Sequence, residues 1–168
     1  ITRAEFTRMI VKAQQLSLNY TGVQHFGDVA KTPTVNLDAL WDYRYIETAA
    51  RAGYVKGWSP GAFNPDAAIT RQDAAVIIAK ALNLKLETDR DKVDKGLAKY
   101  FKDYSTIDYY ARPSVLAIAN KGFITGSPVD TKDLSKGYNF NPEASTLRGD
   151  AAIIMSKVMI SQKKLPQI

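Results

Sequence analysis

Three arginines occupy equivalent places in three copies of one short string. Arg3 lies in Ile1-Thr2-Arg3-Ala4-Glu5-Phe6, Arg71 in Ile69-Thr70-Arg71-Gln72-Asp73-Ala74, and Arg148 in Thr146-Leu147-Arg148-Gly149-Asp150-Ala151. A guanidinium can fork two hydrogen bonds onto a carboxylate or phosphate, so repeated arginines suit recognition of an anion. Each stands at or one residue into an expected helix start, where free N–H groups and the helix dipole add to that attraction. The competing reading is local: the arginines pair with Asp28 or Asp103 and fasten one part of the chain to another. Those two aspartates follow Phe26 and Phe101 at a spacing of two, and either accept hydroxyl groups of a sugar or close Asx-turns. Trp41 and Trp58 offer apolar platforms with a polar edge for a sugar ring. Tyr110, the equivalent of Trp41, reads as lobe core, and Trp58 sits in the turn-rich run Trp58-Ser59-Pro60-Gly61, where a large ring is hard to bury. Gly53, Gly57, Gly122 and Gly126 permit close backbone approach, which turn geometry alone also explains.

The elements that position these residues follow from internal repetition. Phe26-Gly27-Asp28-Val29 returns as Phe101-Lys102-Asp103-Tyr104, Gly53-Tyr54-Val55-Lys56-Gly57 as Gly122-Phe123-Ile124-Thr125-Gly126, and Phe63-Asn64-Pro65-Asp66 as Phe140-Asn141-Pro142-Glu143. With the arginine strings, four motifs recur in one order. Below the arginines, Phe6, Met9, Ile10 and Ala13 coincide with Ala74, Ile77, Ile78 and Ala81, and with Ala151, Ile154, Met155 and Val158. A three-then-four spacing is one helix face, and three equivalent stripes most economically pack on one another. Thr2 with Glu5, and Thr70 with Asp73, fit the reciprocal cap of a helix start. Leu147 breaks that pattern in the third copy, so the third helix is expected to start less firmly. Each lobe carries a second amphipathic helix: Leu37 to Ala52 with Leu40, Tyr43, Ile46, Ala49 and Ala50 buried, and Tyr109 to Asn120 with Val115, Ile118 and Ala119 equivalent. Pro113 is tolerable only in a first turn, and Gly53 and Gly122 fall where a helix-terminating glycine belongs.

The 168 residues contain no cysteine and one histidine, His25. That excludes disulfides, thiolate metal sites and cysteine nucleophiles, and leaves no histidine cluster for a metal. His25 reads as structural or exposed. Lys and Arg total 23 against 17 Asp and Glu, a net charge of +6, which favours an acidic partner without choosing one. Lys12, Lys31, Lys56, Lys80, Lys99, Lys121 and Lys157 are dispersed rather than striped, and no nucleic-acid docking motif is present. No apolar run approaches the roughly 20 residues of a membrane span. Residues 84–100 are charge-dense and read as a linker or an exposed short helix. Asp89, Asp91 and Asp94 fail the calcium-loop pattern, with Val93 where an acid or amide belongs. A hydrolase would need a carboxylate pair, such as Asp28 with Asp73, roughly 5–10 Å apart across a cleft. Binding sites recur in every repeat more readily than catalytic constellations do.

In this order, the strings resemble the S-layer homology repeat of bacterial cell-surface proteins. The similarity spans 1–16, 26–83 and 101–160. It divides the chain into the closing helix of a truncated first repeat (1–25), a second repeat (26–83), the charged linker (84–100), and a third repeat with a tail (101–168). The resemblance implies a mainly α, pseudo-threefold unit with a central three-helix bundle and helix-loop lobes. It also implies a non-catalytic, exported module needing no cofactor, which tethers its parent protein to the cell wall or S-layer by holding an anionic, pyruvylated secondary wall polysaccharide. Arg3, Arg71, Arg148, Asp28, Asp103, Trp41, Trp58 and the four glycines would line its clefts, with S-layer neighbours met through the rest of the parent protein. The lobe preceding Ile1 is absent, so upstream sequence or another segment is expected to supply it. A helical repeat that binds proteins and no glycan is the alternative.

Overall fold

The computed structural model describes residues 1–31 and 41–166. They form a mainly α-helical chain with one short hairpin, divided into two compact units, Ile1–Ile69 and Thr70–Ile168. The division falls inside Ile69-Thr70-Arg71. Each unit therefore joins an arginine-bearing helix to the lobe that follows it in the chain.

In the first unit, α1 (Arg3–Ala13) packs on α2 (Trp41–Arg51). The Thr2 hydroxyl accepts from Glu5 N–H (3.1 Å) and the Glu5 carboxylate from Thr2 N–H (3.0 Å), so two helix-start donors are satisfied reciprocally. Phe6, Ile10 and Ala13 on α1 and Tyr43, Ile46 and Ala49 on α2 are all buried, and the two helices pack on each other; residues 37–40 of the expected second helix, with Leu40, lie outside the described residues. Glu47 is also fully buried on α2. Its carboxylate accepts from the His25 backbone N–H, pairs with the His25 ring Nδ1, both at 2.8 Å, and meets Arg51 at 3.4 Å. The single histidine thus has a structural partner. Gly53 ends α2 at φ +75°, and Tyr54 N–H returns to Ala49 O, the left-handed termination that glycine adopts without strain.

In the second unit, α3 (Arg71–Ala81) and α4 (Arg90–Tyr100) both pack on α5 (Arg112–Asn120), and α6 (Arg148–Ser161) follows the hairpin β1 (Ser127–Pro128) with β2 (Tyr138–Asn139). Of the two readings of 84–100, a linker or an exposed short helix, the structure has the helix, and it is anchored rather than fully exposed. This helix is α4, capped by Asp89 on Lys92 N–H and anchored by buried Val93 and Leu97. Two apolar residues four apart suffice for a buried stripe, and the surrounding charges conceal it in the sequence. Gly96 lies against Leu116, close enough that an added Cβ would come within 2.8 Å of its side chain.

The lobe helix α5 starts at Arg112 rather than near Tyr109. Asp108 O accepts from both Ala111 and Arg112 N–H in a turn that precedes it, and Pro113 occupies the first helical turn. Leu147 stands at the cap position of α6 and makes no side-chain cap bond, as its side chain requires. Among the described residues, no helix is long and apolar enough to cross a membrane.

Gly126, just before β1, is packed so closely that a Cβ there would lie 2.6 Å from Asn139 O. Gly149, in the first turn of α6, faces open space. Urea denaturation should therefore separate the two glycines: Gly126→Ala lowers stability by about 1–3 kcal/mol through overpacking, whereas Gly149→Ala raises it by up to about 1 kcal/mol through helix propensity.

Candidate ligand-binding site

The repeated strings converge on one residue in each unit. Both oxygens of Asp28 accept from Phe63 N–H (2.8 and 3.0 Å), and one also accepts from Asn64 N–H at 2.6 Å. The two oxygens of Asp103 accept from Phe140 N–H and Asn141 N–H at 2.6 and 2.7 Å. The Phe rings of each pair stand 5.2 Å apart, Phe26 by Phe63 and Phe101 by Phe140. The aspartates therefore clamp the Phe-Asn-Pro segment across each lobe instead of closing local Asx-turns.

The arginines hold the other side of the same peptides. Arg3 Nε donates to Phe63 O at 2.9 Å, and its guanidinium lies 4.8 Å from the Phe63 ring centroid. Arg71 Nε donates to Phe140 O at 2.7 Å, and its Nη2 donates to Thr125 O at 3.3 Å, inside the Gly122–Gly126 string. Arg71 Nη1 stands 3.8 Å from the Asp150 carboxylate in the first turn of α6. Burial lowers the Arg71 guanidinium pKa, against the attraction of Asp150 and Asp103, so it is a partly desolvated cation that further negative charge would stabilise. Arg3 is 7% exposed; Arg148 is exposed.

One expected source of anion affinity is missing. The first N–H groups of α1, from Arg3 and Ala4, donate to Ala67 O and Pro65 O at 2.9 and 3.0 Å. Those of α3, from Arg71 and Gln72, donate to Ala144 O and Pro142 O at 3.0 and 3.1 Å. The segment after Phe-Asn-Pro folds back over the helix start and satisfies its donors, so a ligand at α1 or α3 must be met by side chains.

Among the remaining expected residues, Trp58 is 71% exposed on the turn that follows Gly57. A Cβ at Gly57 would lie 2.5 Å from Ser59 O and 2.6 Å from Ala62 O; Gly57 and Gly126 thus admit the chain's own loop. Gly53 and Gly122, both at positive φ, terminate α2 and α5. Trp41 opens α2, and its side chain lies outside the described residues. Tyr110, expected in the lobe core, is 59% exposed because it precedes α5. Its hydroxyl donates to Asp73 at 2.7 Å, and burial followed by that bond raises its pKa.

Sequence reasoning missed Arg112. It occupies the place equivalent to Tyr43, and a charge at a core position was the available signal. Arg112 Nε donates to Ile107 O, Nη2 to Ser105 O and Nη1 to both oxygens of Asp94. Asp94 thus serves an ion pair and Asp89 a helix cap, and among the described residues no three acids or histidines group to hold a metal.

A helical lobe clamped to an arginine-bearing helix occurs twice in the chain, and comparison with known proteins places that repeat. The S-layer homology domain profile matches residues 35–75 and 100–152, more than half of the chain, and the chain belongs to that family of cell-surface anchoring domains. It is 31% identical over its whole length to a surface-layer 125 kDa protein of Lysinibacillus sphaericus, covering 12% of that protein. Over 82 residues, 49% of this chain and 17% of the relative, it is 34% identical to a cellulosome-anchoring protein of Acetivibrio thermocellus. An amylopullulanase of Thermoanaerobacterium thermosulfurigenes is 28% identical over 92% of this chain and 7% of its own length. The chain thus spans under a fifth of each of these relatives.

The clamp carries a pH dependence. Burial favours the protonated form of Asp28, but the Phe63 and Asn64 N–H groups and the charge of Arg3 outweigh it and hold the pKa below the usual carboxylate value. A depressed folded-state pKa contributes stability above the unfolded value of about 3.9 that disappears as pH falls through the folded one. Acid titration followed by circular dichroism should show loss of stability starting near pH 4 and continuing downward, with a shallower slope in Asp28→Asn. At neutral pH, Asp103→Ala should cost about 2–4 kcal/mol, because two backbone donors lose a charged acceptor.

Proposed function

We propose that this chain is a non-catalytic anchoring module that grips an anionic secondary wall polysaccharide and tethers the exported protein containing it to the cell wall. Its ligand is a polymer carrying ketal-linked pyruvate, whose carboxylate meets Arg71. The observation that carries this reading is the state of that guanidinium. Two of its five N–H groups bind Phe140 O and Thr125 O and so fix its plane, while Nη1 lies 3.8 Å from the Asp150 carboxylate, an ion pair too long for a hydrogen bond. A preoriented, partly desolvated guanidinium is a strong partner for a carboxylate. Arg148 supplies a second cation at the start of α6, and the exposed Trp58 ring supplies a sugar platform in the first unit. Arg3, Asp28 and Asp103 act one step back, holding the loops in shape. The names of the relatives, a surface-layer protein and a cellulosome-anchoring protein, support the same job.

Co-sedimentation with purified wall sacculi tests the proposal. The chain should pellet with intact sacculi and remain in solution with sacculi stripped of attached polymer by acid. Arg71→Ala combined with Arg148→Ala should weaken binding at least about tenfold, the loss of one charge-assisted contact or more. Equal binding to stripped walls would refute the reading.

A further inference from the structure

The acid two residues after each arginine does a different job in each copy of the string. Glu5 accepts the Thr2 N–H and caps α1, and Asp73 accepts the Tyr110 hydroxyl. Asp150 does neither. Leu147 makes no side-chain cap on α6, and among the described residues the Asp150 carboxylate accepts no hydrogen bond; what it faces is Arg71 Nη1, at 3.8 Å. That separation exceeds hydrogen-bond length, so charge alone holds the pair. An ion pair of this kind, with one member 42% exposed, contributes little to stability.

The other acid within electrostatic reach of Arg71, Asp103, is differently placed, because both of its oxygens are committed to the Phe140 and Asn141 N–H groups. Arg71 therefore has one acid that is bound in place and one that is not. Geometry limits how far Asp150 can give way. Its Cα is fixed in the first turn of α6, and an aspartate side chain has only two rotatable bonds, so its charge stays beside Arg71 in any rotamer. The approach is open: nothing lies within 4 Å of a Cβ added at Gly149, and Arg148 is exposed. An incoming anion that takes Nη1 must share the guanidinium with a second negative charge. The repulsion is proportional to the charge that the anion carries. A singly charged carboxylate meets it once, and a doubly charged phosphate monoester meets it twice.

We infer that Asp150 is a specificity-determining residue of the anion site. It is a resident counter-ion that weakens every anion at Arg71, and a dianion more than a monoanion, which shifts the site's preference toward a carboxylate and away from a terminal phosphate. Asp150 acts through its charge, on Arg71 and on the group bound there. The inference rests on the reading that Arg71 meets the ligand's anion, and it adds which class of anion the site admits.

The test is an amide NMR titration of the full chain with two small anions. One is 2,2-dimethoxypropanoate, a ketal of pyruvate with one charge; the other is methyl phosphate, doubly charged near pH 8 because the second pKa of a phosphate monoester is about 6. Saturable shifts should centre on the amides of Arg71, Phe140 and Asp150. Asp150→Asn keeps the shape of the side chain and removes its charge. It should lower the dissociation constant of the carboxylate by about threefold or more, and that of the phosphate by roughly the square of that factor, as a charge-proportional repulsion requires. The gain should disappear when Arg71→Ala is added, with the helical circular dichroism unchanged throughout. A merely structural Asp150 would move both anions alike or weaken both. No tightening of either anion, equal gains for the two, a gain that survives the loss of Arg71, or absence of saturable shifts in both proteins would overturn the inference. The charge-dependent gain without retention on sacculi would remove the anchoring reading and leave the role of Asp150 standing. Retention on sacculi that Arg71→Ala with Arg148→Ala abolishes, with affinities unchanged in Asp150→Asn, would do the reverse.

Discussion

One phenylalanine in each lobe is held through both of its backbone groups, and the rest of the architecture depends on it. Phe63 gives its N–H to Asp28 and its carbonyl to Arg3; Phe140 gives its N–H to Asp103 and its carbonyl to Arg71. Bonds to charged partners are roughly twice as strong as neutral ones, so these are the strongest fixed points available to a loop. From them the segment can turn back and cover the helix start, as Pro65 and Ala67 do for α1, and Pro142 and Ala144 for α3. The paired phenylalanine rings, tilted against each other, are buried beside it.

This arrangement explains how a loop-rich surface can act as a recognition surface. A mobile arginine loses side-chain entropy when it meets a ligand. Arg71 is already held through Nε and Nη2 by two carbonyls from different strings, with Nη1 beside the Asp150 carboxylate. The same covering that organises the loop removes the helix-start N–H groups from use. Under the proposed function, affinity for an anion comes from the guanidinium rather than from the helix terminus. The two units are not chemically alike: Trp58 in one has Ser127 at the equivalent place in the other, where the hairpin and α4 add surface of their own.

Much of this was readable before any coordinates. The mainly helical fold, the Thr2–Glu5 cap, the missing cap at Leu147 and the terminating glycines followed from spacing and local chemistry. These features depend only on neighbours within a few residues. The role of Asp28 and Asp103 did not follow, because their acceptors' partners lie 35 to 38 residues away, and a Phe-x-Asp string is equally compatible with a turn or a ligand. The buried face of α4, a helix that was one of two readings of its segment, was hidden by its charges, since only Val93 and Leu97 mark it. Tyr110 was placed in the core as the counterpart of Trp41, but the turn at Asp108 delays α5 to Arg112 and leaves Tyr110 outside it. Arg112 occupies a tyrosine's place by exchanging a ring for a network of carbonyls and one carboxylate, an exchange visible only when Ser105, Ile107 and Asp94 are seen around it.

Native-state hydrogen exchange at the backbone amides of Phe63, Asn64, Phe140 and Asn141 addresses the double grip on each lobe most directly. Loop amides held by buried or charged acceptors open only with the surrounding structure, so all four should exchange as slowly as the helical core of their own unit, and those of Phe140 and Asn141 should become fast when Asp103 is replaced by alanine. Exchange of these amides at the rate of an unstructured loop in the unaltered protein would contradict the account.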